Sequence, residues 1–143
     1  MQNMEYTKEY KVKDEHIDVQ GIMDGLYYPF YMEDCRHRFA KEVMGFDIEQ
    51  EALKGINMVL SQYTIKFLRP LRKDDNFTVT CCLYSDKDGK PKFYLKQRIM
   101  MNNKIMTEGV FTATCVPATG GRPFVPENLI PQIQASRVLE GLL

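Results

Sequence analysis

Along one stretch of the chain the large apolar residues recur at Tyr28, Met32, Cys35, Phe39 and Val43, in steps of four, three, four and four. That spacing marks one face of a helix, and Glu33, Asp34, Arg36, Arg38, Lys41 and Glu42 fill much of the remainder. No other long helical pattern is present. It runs from Leu26 to Met44, and Gly45 stands where it stops, as a C-terminal cap. Pro29 is the irregular position. Proline costs about 3 kcal/mol inside a helix and little in the first turn, so the regular helix is expected to begin near Leu26 or to bend at Pro29.

The pattern on either side has a period of two. Residues 6–13 alternate Tyr6, Lys8, Tyr10 and Val12 against Thr7, Glu9, Lys11 and Lys13, which predicts a first strand with one solvated face. Residues 47–55 are polar and compatible with one short extra turn of helix. From residue 58 the chain becomes β-branched and aromatic, giving predicted strands over 58–67, 76–84, 92–101 and 105–116. Their connections are short: a charged turn at 71–75, a hairpin around Asp88-Gly89, and Asn102-Asn103-Lys104. Short turns favour antiparallel neighbours. The expectation is an α+β fold in two layers, a long helix against a five-stranded antiparallel sheet, with a short C-terminal helix within 127–143. Leu139, Leu142 and Leu143 are its expected docking residues. A small sheet covered on one face leaves edges to be managed, and its long aromatic strands suggest that a partner subunit completes the structure.

Composition narrows the class. The 143 residues are read as one domain over 1–143, with a core at about 6–126 and a helical tail at 127–143. Nineteen basic and nineteen acidic residues cancel, so nothing electrostatic argues for nucleic acid or an anionic membrane. No apolar run approaches the roughly 18 residues of a membrane span, and the first residues lack a basic-then-apolar signal pattern. Cys35, Cys81, Cys82 and Cys115 form no Cys-x-x-Cys pair and read as reduced, small apolar residues. The expected location is therefore cytoplasmic. With two histidines, His16 and His37, no metal or redox cofactor is implied.

Chemistry concentrates just before the helix, in His16-Ile17-Asp18-Val19-Gln20-Gly21-Ile22-Met23-Asp24-Gly25. This glycine-punctuated turn puts a carboxylate beside the free N–H groups and positive dipole end of a helix. Such an arrangement suits a reaction at a polarised carbonyl. It also suits a helix start: Asp18 can bind its own backbone as a turn residue, and Asp24 is the natural N-terminal cap. His16, two residues from Asp18, reads as an exposed loop histidine or as a support for that carboxylate. Glu33 and Arg36, at i and i+3, read most simply as an ion pair on the helix surface.

Three motifs in order resemble the hotdog-fold thioesterases of the 4-hydroxybenzoyl-CoA thioesterase family, in which a sheet wraps a long central helix. The first is Asp18-Val19-Gln20-Gly21 followed by Tyr28 and Glu33-Asp34-Cys35-Arg36. The second is the strand from Tyr63 ending in Arg69-Pro70 before Asp74-Asp75. The third is Gly121-Arg122-Pro123-Phe124-Val125-Pro126. The resemblance implies hydrolysis of an acyl-CoA or acyl-carrier-protein thioester. It places the nucleophile or general base at Asp18 and the oxyanion-binding amide at Gly25. It implies a homodimer or dimer of dimers with the site between subunits, and no cofactor beyond coenzyme A as part of the substrate. Tyr28 and Glu33 fall in the substrate-binding region, and Lys87, Lys90 and Lys92 on the hairpin are candidates, by location, for holding phosphates. Many relatives carry His-Val-Asn-Asn after the motif glycine, where this chain has Ile22-Met23-Asp24-Gly25. That departure leaves a second reading, a hotdog-fold protein that binds an acyl thioester without cleaving it.

Overall fold

A computed structural model describes residues 5–141, so Leu142 and Leu143, expected to dock the C-terminus, lie outside the described residues. The helix begins in two steps. Asp24 caps a short 3-10 turn at Gly25–Tyr27, its Oδ1 accepting from the Leu26 N–H at 2.9 Å. The α-helix α1 (Tyr28–Glu42) follows directly, with Pro29 in its first turn, where no helical N–H is lost. The bend considered at Pro29 is therefore not needed. At the other end Phe46 N–H bonds the Ala40 carbonyl at 2.8 Å while Gly45 takes a φ of 69°. This is the left-handed C-cap that glycine makes easily.

α1 buries Tyr28, Tyr31, Met32, Cys35, Arg36, Phe39 and Ala40. Val43, expected on that face, is 47% exposed. The chain turns out of the helix there, and Met44 and Phe46 reach the core instead. The short helical segment exists as α2 (Ile48–Leu53), capped by Asp47 through the Glu49 and Gln50 N–H groups.

Six strands make one sheet: β1 (Tyr6–Lys11), β2 (Ile56–Phe67), β3 (Asn76–Ser85), β4 (Phe93–Met101), β5 (Lys104–Pro117) and β6 (Arg137–Val138). The order is β1-β3-β4-β5-β2, antiparallel throughout, with two-residue β6 lying parallel to β3. The expected five-stranded sheet thus carries one added strand. Where one C-terminal helix was expected over 127–143, the chain forms α3 (Ile130–Ala135) and then β6. Leu139 does dock: it is buried and its N–H bonds the Ser85 carbonyl.

Alternation along β4 sends Phe93, Leu95, Gln97 and Ile99 into the interior. Helix and sheet meet closely at Gly109 of β5, where a Cβ would lie 2.9 Å from Phe111 Cε1 and 3.3 Å from Met32 Cε. The four cysteines are thiols outside any disulfide, and Cys35, Cys81 and Cys115 are buried. Among the described residues no helix is long and apolar enough to cross a membrane.

Candidate functional site

The segment before α1 is a small hairpin of its own. Ile17 bridges to Met23, Asp18 N–H bonds the Ile22 carbonyl, and Gly21, with φ 81°, closes the tip. Met23 N–H bonds the Leu71 carbonyl and Ile22 bridges to Arg72, so the chain just beyond β2 anchors this turn. These bonds deliver Gly25 to the end of β2 with its N–H at the start of a helical turn, where it has no partner inside the turn.

There Gly25 lines a largely apolar pocket of about 350 Å³ with Ile22, Met23, Tyr28, Phe67, Leu68 and Pro70, and Arg69 is the charged residue in its lining. The position Cβ would take on Gly25 is 3.9 Å from the Phe67 ring, with no nearer atom outside the neighbouring residues. A ligand can therefore approach the backbone closely. Tyr28 forms the pocket's inner wall. Its ring meets Phe67 edge-on at 5.1 Å, and its hydroxyl accepts the Leu71 N–H at 3.0 Å. Burial pushes the Tyr28 pKa up; the Leu71 bond opposes this, and the carboxylates of Asp18 and Asp75 add a smaller push upward. The phenol thus stays neutral and keeps its proton.

Asp18 stands at the base of the turn and does not line that pocket. Its Oδ1 accepts from the Gln20 N–H at 2.7 Å and its Oδ2 from Gln20 Nε2 at 3.2 Å. That is the turn-forming geometry open to an Asp before Gly21. His16 is not an exposed loop histidine. It is buried, stacks on Tyr27 with ring centroids 3.9 Å apart, and has Nδ1 2.8 Å from the Tyr31 hydroxyl. This packing holds the 3-10 turn against α1.

Glu33 and Arg36 do not pair. Glu33 is exposed and lies 3.7 Å from His37, one turn on. Arg36 turns inward, donating to Gln97 Oε1 at 3.1 Å with its guanidinium 4.3 Å from the Phe111 ring centroid. The interior offers an amide and an aromatic face, which the surface does not. Sequence reasoning missed this cluster, although Gln97 signals it as a polar residue in an inward register of apolar ones. The structure also separates the hairpin lysines from Gly25. Phe93 pairs with Ala113 while Phe67 pairs with Thr107, six residues or about 20 Å along β5. Lys87 and Lys90 are exposed at that far end, and Lys92 lies over the Tyr94 ring. Among the described residues no group of three or more His, Cys, Asp or Glu side chains is placed to hold a metal ion.

A family model described as the thioesterase-like superfamily matches residues 12–133, from the end of β1 to α3. The chain belongs to that superfamily. The thioesterase-like chain is 35% identical over 71 residues to a chloroplastic acyl-acyl carrier protein thioesterase of Arabidopsis thaliana. The match spans 50% of this chain and 37% of that protein's length. Among solved structures it superposes on a 1,4-dihydroxy-2-naphthoyl-CoA thioesterase from Synechocystis at TM-score 0.79 and 14% identity, covering 92% of this chain and 97% of that one. A gentisyl-coenzyme A thioesterase gives TM-score 0.77 and 20% identity, covering 87% and 97%. The fold is the hotdog fold of these thioesterases.

Proposed function

We propose that this thioesterase-like chain hydrolyses acyl thioesters, with the carbonyl seated at Gly25. The carrying observation is the Gly25 N–H, unpartnered within its turn and opening on a largely apolar pocket in a chain of this superfamily. A carbonyl oxygen placed there meets a preorganised donor at the positive end of α1, which stabilises the tetrahedral oxyanion. Tyr28 walls the acyl side of the pocket. Asp18, close enough to act on Tyr28 through space, is the carboxylate that activates water or attacks the carbonyl once Gln20 releases it.

The acyl carrier is coenzyme A or a carrier protein, as the names of the structural neighbours and of the curated relative suggest in turn. The working unit in this reading is a homodimer, or a dimer of dimers. β2 is an edge strand of the sheet, and Leu60, Tyr63 and Phe67 on its inner side are 40%, 52% and 56% exposed. A second copy covering them would close the pocket. Lys87, Lys90 and Lys92 receive no role in the site of their own protomer, given their distance from Gly25.

The engagement of both Asp18 oxygens by Gln20 favours a second reading, a thioester-binding protein without turnover. Thiol release from a panel of aliphatic and aromatic acyl-CoAs, and from acyl-carrier proteins, separates the two. Hydrolysis by wild type that drops at least about a hundredfold in Asp18→Asn, with acyl-CoA binding retained, is the expected result. Equal rates in the two proteins would remove Asp18 from the mechanism, and no release from any donor would leave the binding reading.

A further inference from the structure

Arg36 is a buried cation with no buried anion to match it. The residue is 6% exposed, and among the described residues it forms no ion pair. Among the described residues its hydrogen-bond partner is the neutral Gln97 amide, oriented because Gln97 Nε2 donates to the Met32 carbonyl at 2.9 Å. Burial pulls the Arg36 pKa down; Cys81 and then Glu33 oppose it only through space. A guanidinium has five N–H donors in a fixed fork, and desolvating the charge without a counterion is costly. The side chain lines a cavity of about 190 Å³ between α1 and the sheet, bounded by Met58, Leu60, Leu95 and Ala113. Glu33 and His37 also line it, but the Glu33 side chain is 57% exposed and faces His37.

The place of this cation relative to Gly25 follows from the register. Phe67, in the Gly25 pocket, pairs with Thr107, and Tyr63 pairs with Phe111, the ring beneath Arg36. Four residues of strand span about 13 Å. Independently, Tyr28 and Arg36 are eight helical residues apart, about 12 Å along the axis. Between them the inner side of β2 offers Ile65, packed against the core, and the exposed Tyr63. The two spacings set Arg36 about 12–13 Å from Tyr28 and Phe67 of the Gly25 pocket, on the same inner side of β2.

We propose that Arg36 receives a carboxylate at the far end of the acyl chain, so that the site prefers ω-carboxyacyl thioesters over their plain acyl counterparts. This rests on the reading that Gly25 holds the thioester carbonyl. Carbon–carbon bonds of about 1.5 Å, set in a zigzag, span the distance with on the order of ten carbons. The carboxylate would take the N–H groups that Gln97 leaves unused, in the bidentate geometry that suits guanidinium.

The test compares decanedioyl-CoA, 10-hydroxydecanoyl-CoA and decanoyl-CoA by thiol release, with wild type, Arg36→Met and Arg36→Lys. Direct binding of free decanedioate and decanoate is measured by calorimetry in parallel. The expected result is a preference of at least about tenfold for decanedioyl over decanoyl in wild type, about 1.4 kcal/mol in kcat/KM. Arg36→Met should abolish it and Arg36→Lys keep part of it. The preference is a ratio within one protein, so a general loss of folded enzyme does not imitate it; if Arg36→Met fails to fold, the wild-type ratio and the Lys variant decide. Equal wild-type rates with decanedioyl and decanoyl would overturn the assignment while leaving thioester hydrolysis standing. Equal preference for the hydroxy compound would overturn it too, because a neutral oxygen would then suffice. Tighter binding of decanedioate that Arg36→Met removes, without hydrolysis of any thioester, would support the carboxylate site and defeat the hydrolytic reading.

Discussion

The two edges of the sheet use similar residues to opposite ends. On the β1–β3 side the rings of Tyr6, Tyr10 and Phe77 pack against those of α1 or against one another. Tyr6 meets Phe39 at 5.8 Å, Tyr10 meets Tyr31 and Phe77 at 5.7 and 5.9 Å, and Tyr31 meets Phe77 at 5.0 Å. The phenol ends are tied to α1 as well, Tyr10 donating to Asp34 at 2.6 Å and Tyr6 to Glu42 at 2.8 Å. On the β2 side Leu60, Tyr63 and Phe67 also point inward by register, yet each is at least 40% exposed because α1 lies over the other half of the sheet. One edge is finished within the chain. The other keeps contiguous apolar surface, which marks a place where something else binds, and both the Gly25 pocket and the Arg36 cavity open beside it.

The sharpest test of this contrast is at Phe39, fully packed between α1 and β1. Phe39→Ala is expected to remove about 3–5 kcal/mol of stability, read by denaturant unfolding. A loss below about 1 kcal/mol would mean that the covered edge is not held by this packing. Phe67→Ala is the counterpart on the open side. Stability should change by no more than about 0.5 kcal/mol, while kcat/KM for acyl-CoA falls roughly tenfold, about 1.4 kcal/mol. A large stability loss there would erase the distinction between the edges.

The smallest effect belongs to the hairpin between β3 and β4, remote from both edges' chemistry. Asp86 accepts from the Tyr94 hydroxyl at 2.7 Å and from the N–H groups of Asp88 and Lys90. The Tyr94 bond, with help from the two amides and Lys92, holds its pKa below the ordinary value of 3.8. A carboxylate with a lowered folded pKa stabilises the fold above its unfolded value, and that contribution fades as pH falls through the folded one. Wild type should therefore exceed Asp86→Asn by under about 1 kcal/mol at neutral pH, with the gap closing in acid. A gap that widens in acid would assign Asp86 the wrong sign.

Much of this architecture was readable along the chain because local rules carried it. Period-two runs and the Asp88-Gly89 and Asn102-Asn103 turns prescribed the strands of the main sheet. Gly45 and Asp24 marked the helix ends by the backbone groups they satisfy. Gly25 and Tyr28, named from motif spacing, do meet in one pocket. The misreadings share a cause. Val43 continued the helical period but fell where the chain turns away, and β6 is two residues whose pairing with β3 has no local pattern to announce it.

What the sequence determined by itself was therefore everything set by neighbours within a turn or two: the elements, their ends, their order and the turn that delivers Gly25. What only the tertiary structure decided was direction and company. Glu33 and Arg36 are near enough along the helix to pair, and periodicity sets Arg36 only at the flank of the apolar stripe, four residues after Met32 and three before Phe39. Arg36 instead enters the core because Gln97, 61 residues away, offers an amide oxygen and Phe111 a ring face. Asp18 and His16, two residues apart, diverge because one is held by Gln20 and the other is stacked beneath Tyr27. Side-chain direction depends on which distant atoms fill the space around it, and those contacts form only when the sheet closes over the helix.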